Sequence, residues 1–343
     1  MTNFTERERY VASLEMEPMD RPSVACTGAI TLDAIKQAGV DPATMWHDGN
    51  AMAYLAKTAH DMYGFEDVNL FMVWTHLEAM GAVVNFTKPI PFLERPLFNL
   101  GDDYQMPDMD KYIKHPSVAR TVAAFRKARQ LAGKDTAVTV VTSWGPLTTA
   151  GHLVGTEALM LGIATDPDEV KKLLRFTSEY SAEAYKAELA AGFIDDADAV
   201  TPGEPSASGD LISAEMFEEY SLPYLKAEFK AMKSTGAPAV LHICGDTTDH
   251  LPLMAQSGAM ALSIEQKVDP YIAVKKVNGK VALIGNVGPI EPLMLGTPEQ
   301  VRKDTLRCID AGFNVIHPGC ALPPETPTAN LRAMTEAVKA FRR

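Results

Sequence analysis

Eight short apolar runs recur along the chain: Ser23–Cys26, Val68–Val73, Ala137–Thr142, Asp198–Thr201, Ala239–Ile243, Ala261–Ile264, Val281–Ile284 and Asn314–Ile316. They are almost continuously apolar, as parallel strands covered on both faces should be. Between them the spacing becomes helical, and several helix ends are legible. Asp166-Pro167-Asp168-Glu169 supplies a cap, a proline at the first helical position and acids in the first turn, and Gly192 is a natural stop. Thr297-Pro298-Glu299-Gln300 reads as a capping box, and Gly312 ends its helix. Thr326-Pro327 opens the last helix, with Leu331, Met334, Val338 and Phe341 along one side. Strands alternating with helices, eight of each, predict an α/β protein: a (β/α)8 TIM barrel forming one domain over residues 1–343. Asn99–His115 reads as a loop or excursion, and residues 1–20 as a helical extension outside the barrel.

Composition narrows the picture. The chain has 343 residues, 46% of them hydrophobic, enough for a large core. A formal net charge of −12 argues against a general nucleic-acid binder. Residues Met1–Arg9 contain no apolar secretory core, and no uncharged apolar run approaches the roughly 18 residues of a membrane span. The expected location is cytoplasmic. There Cys26, Cys244, Cys308 and Cys320 are expected to be buried, catalytic or metal-bound rather than bridged.

Barrel chemistry sits at the C-terminal ends of the strands. Cys26 follows the first strand, Glu78 the second, Trp144 the third and Glu204 the fourth. His242 and Cys244 close the fifth, Glu265 follows the sixth, Asn286 the seventh and Cys320 the eighth. In an extended chain, positions i and i+2 face the same way, so His242 and Cys244 point together. With Cys320 alongside they form a His/Cys/Cys zinc site, and Glu265 is the expected fourth ligand in the absence of substrate. A dispersed set of this kind, without a Cys-x-x-Cys pair, reads as catalytic. Two thiolates and a neutral imidazole leave zinc formally neutral. Such a centre lowers the pKa of an incoming thiol yet keeps its sulfur electron-rich, which favours attack on an alkyl donor over hydrolysis.

Other polar groups have plainer readings. Cys26 and Cys308 read as small buried hydrophobes, and His317 as packing beneath the site. Asp246, Asp249 and His250 read as polar residues at a helix start. Glu78 also fits an exposed loop acid, and Glu265 a partner of Lys267.

Several segments resemble the uroporphyrinogen decarboxylase-like superfamily, and within it the methylcobamide:coenzyme M methyltransferases. They are Val240-Leu241-His242-Ile243-Cys244-Gly245, Ser263-Ile264-Glu265-Gln266-Lys267, Ile284-Gly285-Asn286-Val287 and Pro318-Gly319-Cys320, with Glu78-Ala79-Met80-Gly81, Gly145-Pro146 and Glu204-Pro205-Ser206-Ala207-Ser208. The resemblance implies zinc on the residues matching His242, Cys244 and Cys320, with Glu265 nearby or coordinated. It implies methyl transfer from a methylcobamide, carried by a separate corrinoid protein, to a small thiol, coenzyme M being the expected acceptor. Strand-end position and resemblance together make Glu265, Glu78 and Asn286 candidate catalytic residues. They make Glu204, Ser206 and Trp144 candidates to face the cofactor.

The decarboxylases proper carry an arginine-rich segment after their first strand, but Arg21-Pro22-Ser23-Val24-Ala25-Cys26-Thr27-Gly28 has no arginine past Arg21. Asp246 stands where the methyltransferases commonly have asparagine, and Ala321 where they have glycine. No Asp-x-His-x-x-Gly cobalamin signature is present. Two other readings use the same residues: a corrinoid-dependent methyltransferase with tetrahydrofolate or homocysteine as acceptor, and a non-catalytic barrel that binds zinc or a corrinoid protein.

Overall fold

A computed structural model describes residues 4–87, 91–193, 196–236 and 238–342. Its core is a barrel of eight parallel strands, in chain order β1 (Ser23–Val24), β2 (Asp67–Phe71), β3 (Ala137–Val141), β4 (Ala199–Val200), β5 (Val240–Ile243), β6 (Ala261–Ile264), β7 (Ala282–Val287) and β8 (Val315–Pro318). Hydrogen bonds join β1, β8, β7, β6 and β5 in one arc and β2, β3 and β4 in another. The arcs meet at two seams. The Glu66 N–H donates to Val24 O at 2.8 Å, and the Val200 N–H donates to Pro238 O at 2.8 Å. Every predicted strand is present. Those at Ser23–Val24 and Ala199–Val200 are short, while β7 and β8 run past their expected ends to Val287 and Pro318.

The signalled helices form where expected. Pro167–Ala190 starts on its proline. Pro298–Ala311 carries the Thr297/Gln300 capping box and ends on left-handed Gly312. Thr328–Ala340 follows Pro327. The repeat is less regular than eight of each. Three successive helices, Pro146–Val154, Thr156–Thr165 and Pro167–Ala190, connect β3 to β4. The β2–β3 connection carries a small antiparallel pair, Val84–Asn85 with Phe92–Leu93. The excursion predicted at Asn99–His115 is irregular except for one turn of helix at Met109–Tyr112.

The N-terminal extension is a helix, Glu6–Leu14; residues 1–3 of the predicted segment lie outside the described residues. It is a plug rather than an appendage. Tyr10 and Leu14 pack against Ala137, Ala199, Val240, Ala261, Ala282 and Val315, the layer at the strand starts. Small side chains there leave room for the helix to close the floor. The plug is also held by charge. Glu66, 1% exposed, accepts from Arg9 Nη1 at 2.8 Å and Arg21 Nη2 at 2.6 Å. Its second oxygen accepts from Ser23 Oγ at 2.8 Å and the Val24 N–H at 3.1 Å. Glu66 therefore ties the plug, the start of β1 and the β1–β2 seam together, leaving the opposite end of the barrel as its mouth. Among the described residues, no helix is long and apolar enough to cross a membrane.

Removing one partner of a buried ion pair strands the other charge. Glu66→Ala, which takes the carboxylate partner from Arg21 and leaves Arg9 with Asp20, is expected to lower the unfolding free energy by roughly 3–5 kcal/mol in urea titrations. A loss below about 1 kcal/mol would place the energy of this seam elsewhere.

Candidate metal centre

The mouth gathers the three residues that strand spacing singled out. One imidazole nitrogen of His242 and the sulfurs of Cys244 and Cys320 all lie within 4.8 Å of one another. His242 sits in β5 and Cys244 one residue past its end, which gives the shared direction expected of i and i+2. Cys320 arrives from the loop after β8, whose Gly319 N–H donates to Val287 O at 2.7 Å. A Cβ at Gly319 would stand 3.0 Å from Glu265 Cα, so glycine there lets the β6 loop pass close beside Cys320.

Local packing aims each donor. His242 Nδ1 shares a hydrogen with Ser263 Oγ at 3.0 Å, which leaves Nε2 as the free nitrogen. Ser263 is the register partner of His242 across the β5–β6 pair. Gly245 has φ +82°, and a Cβ there would collide with Ser208 Oγ and Asp210 Oδ2. That close turn brings the chain round directly after Cys244.

The two sulfurs behave as a pair. A hydrogen bond from the Cys244 thiol, aided by His242, pulls Cys320 well below the usual thiol range. Cys244 keeps the shared proton and is pushed up. Burial works against a charged His242, but the sulfur of Cys320 outweighs it and raises the imidazole. Two sulfurs and an oriented imidazole nitrogen match the soft donors and tetrahedral preference of zinc and leave one position open.

A cavity of about 180 Å³ adjoins the trio. Its wall includes Phe71, Val73, Val141, Trp144, Pro205 and Ala321, with Thr27 and Thr201, and it contains no lysine or arginine. Trp144 stands edge-on to Trp74 at 5.7 Å and tilted to His152 at 5.3 Å. Burial holds His152 down at about 4, so it is neutral.

Of the remaining expected site residues, Glu265 lies beside the trio and Trp144 in the cavity wall, and the others lie elsewhere. Glu265 stands outside the trio. Its carboxylate accepts the Gly245 N–H, and Lys267 pairs with Asp210 instead, at 2.7 Å. Asn286 does not reach the cavity. Its Nδ2 donates to Glu265 O at 3.1 Å and Val268 O at 2.7 Å, so it shapes the β6 loop from behind. Glu78 belongs to the helix Thr75–Ala79, which turns it toward an ion pair with Arg120 in a separate cleft beside Trp46, Trp74 and Phe86. Glu204 is fully buried behind the wall, where Oε1 accepts the Leu147 N–H at 2.8 Å and Oε2 the Thr148 N–H at 3.0 Å. Burial pushes it up to about 7 against those bonds. Ser206 is buried beside it, its N–H on Thr148 Oγ1 at 3.0 Å. Of the three residues expected to face a cofactor, only Trp144 lines the cavity.

Neither plain alternative for Glu265 or Glu78 is met, since Lys267 pairs with Asp210 and Glu78 is a largely buried helix residue, but those for the other polar groups are. His317 lines the cavity, yet Nδ1 donates to Pro318 O and Nε2 accepts the Thr27 N–H at 2.6 Å. Burial holds it down at about 4, a neutral ring with both nitrogens engaged. Cys26 and Cys308 are buried, and all four cysteines are unbridged. Asp246 Oδ1 accepts the Thr248 N–H at 2.9 Å, and Asp249 pairs with Lys276. His250 sits at the start of the helix Leu251–Met254. Ser263 belongs to the resembling β6 segment, but its role against His242 rests on the cross-strand pairing. Aligning the fifth and sixth strands by their parallel ends would have revealed it.

A sequence model described as uroporphyrinogen decarboxylase (URO-D) matches residues 5–341. A methylcobamide:CoM methyltransferase of Methanosarcina mazei is 32% identical and aligns over the whole of both chains. Another, of Methanosarcina barkeri, is 28% identical over 98% of each. The solved structure of a methyltransferase from Methanosarcina mazei superposes with a TM-score of 0.90 at 26% identity, covering 98% of this chain and 99% of that one.

Ser263→Ala frees His242 Nδ1 without touching a donor atom. It is expected to weaken divalent-metal affinity by about 10–100-fold in chelator competition while the unfolding midpoint stays close to wild type. Unchanged affinity would show that the imidazole is oriented by other contacts.

Proposed function

The chain belongs to the uroporphyrinogen decarboxylase family, standing there with the methylcobamide:CoM methyltransferases, and we propose that it moves a methyl group from a methylated corrinoid protein to a thiol at a zinc centre. The observation that carries this reading is the convergence of His242, Cys244 and Cys320 within 4.8 Å beside an apolar cavity. Those three residues would hold the metal. When bound, zinc with this donor set lowers the pKa of a thiol without draining the sulfur of its nucleophilicity. Glu265, tied to the same turn through the Gly245 N–H, would be the residue placed to supply a fourth donor in the absence of a thiol.

The cavity does the rest. Phe71, Val73, Val141 and Trp144 pack along the short carbon chain of the thiol and exclude water, so its sulfur is poorly solvated and reactive. Transfer forms a carbon–sulfur bond and breaks the donor's carbon–cobalt bond. The electron pair stays with the corrinoid, and the thiol proton passes to solvent. His317, neutral and fixed at both nitrogens, keeps the β1 loop against the wall. The relatives are named for coenzyme M, and coenzyme M is the acceptor proposed. A cavity of about 180 Å³ supports a short thiol over a folate-sized acceptor. Decarboxylation of a tetrapyrrole finds no support in a wall without arginine.

The test is Cys320→Ala, assayed for bound zinc and for methylation of coenzyme M from methylcobalamin. Metal and activity are expected to fall together, activity by at least about 100-fold. A variant that retains full turnover would end this reading.

A further inference from the structure

The Glu204 side chain reaches neither the donor atoms of the trio nor the cavity, yet the wall around it is stitched through this residue. Its own N–H donates to His242 O at 2.8 Å, and the His242 N–H donates to Pro202 O at 3.2 Å. The backbone on both sides of this ligand is thus bonded to residues 202–204. Residues 203–206 are bonded in turn to the start of the helix Pro146–Val154. The Gly145 N–H donates to Gly203 O at 2.7 Å, the Leu147 and Thr148 N–H groups donate to the Glu204 carboxylate, and the Ser206 N–H donates to Thr148 Oγ1. The Leu147 and Thr148 N–H groups are helix N-terminal donors with no partner inside their own helix, and a carboxylate is the acceptor best suited to them. Gly145 leaves space for it, since a Cβ there would stand 2.6 Å from Glu204 Oε2. A Cβ at Gly203 would likewise stand 3.2 Å from the Trp144 ring.

We infer that Glu204 is a positioning residue: it locks the start of the helix Pro146–Val154 onto the β4 end and thereby fixes both the backbone of His242 and the Trp144–Pro205 side of the cavity. The inference rests on the reading of His242 as a metal ligand. Glutamine at this position keeps the size but replaces one acceptor oxygen with a donor that faces a backbone N–H. The β4 end is then free to drift, and His242 drifts with it.

The experiment uses cobalt(II)-substituted full-length protein. Its absorption bands report the arrangement of the donors, and competition with a chelator reports affinity. Glu204→Gln is expected to shift the bands and weaken cobalt affinity about tenfold, the lower end of what losing an outer partner of a metal ligand costs. Thr148→Val removes the acceptor of the Ser206 N–H and the Thr148 hydroxyl's own contact with Glu204, but leaves the carboxylate its two backbone donors; it is expected to produce a smaller shift in the same direction, which keeps the test open if Glu204→Gln fails to fold. Val118→Ala, in the separate apolar cluster with Tyr112 and Tyr180, serves as a control for loss of packing away from the site and is expected to leave the bands unchanged. The inference is overturned if both stitch variants match wild type in spectrum and within twofold in affinity. It is equally overturned if Val118→Ala shifts the bands as much as they do, because Glu204 then acts only through general stability. Wild-type protein that binds no cobalt at all would instead remove the reading of the site on which the inference rests.

Discussion

Two sulfurs and an imidazole come within 4.8 Å of one another here only because separate strand ends are held in register at one mouth. His242 and Cys244 come as a unit from β5, but Cys320 is 76 residues further on and reaches them through the pairing of β8 with β7, β7 with β6 and β6 with β5. Such convergence is costly for a chain without metal. Two half-buried sulfurs stand against each other, with an imidazole beside them. Ser263, the Gly245 turn and the Gly319 approach all restrain groups that would otherwise repel or drift. The restraint makes sense if an ion is to be gripped tightly while one coordination position stays open to a ligand that must come and go.

The surroundings complete that logic. The cavity wall supplies no cation and few hydroxyls, so a sulfur bound there meets little water and no competing charge. Neutral His317 and His152 add rings without charge. At the opposite end the balance is reversed: Glu66, Arg9 and Arg21 form a buried charged knot around the plug. One end of the barrel is fixed by ion pairs and the other is lined largely by apolar side chains, a division that strand direction makes possible.

Much of this was legible in the chain. Continuous apolar runs specified buried parallel strands, and caps such as Thr297/Gln300 specified where helices begin, because both depend on local sequence. The trio was legible because i,i+2 geometry and strand-end position are fixed by the strand itself. What failed depends on packing between distant segments. Glu78 follows β2 as expected, but the chain enters a helix that swings it toward Arg120, 42 residues away. Glu204 follows β4 but is claimed by helix N–H groups from Leu147 and Thr148. Asn286 faces the carbonyls of the β6 loop. In each case an unsatisfied backbone or charged group elsewhere took the side chain first. The plug carried a usable signal: β3, β4, β6 and β7 all begin with alanine, marking a layer that something larger must cover.

The central claim is that the trio binds a metal whose open position receives the thiol. Zinc K-edge absorption on the purified protein, before and after coenzyme M is added, tests it most directly. The account predicts one zinc per chain with two sulfur neighbours, and a third sulfur, with a shifted edge, once the thiol is present. A protein that takes up no zinc, or a zinc environment that coenzyme M leaves unchanged, would contradict it.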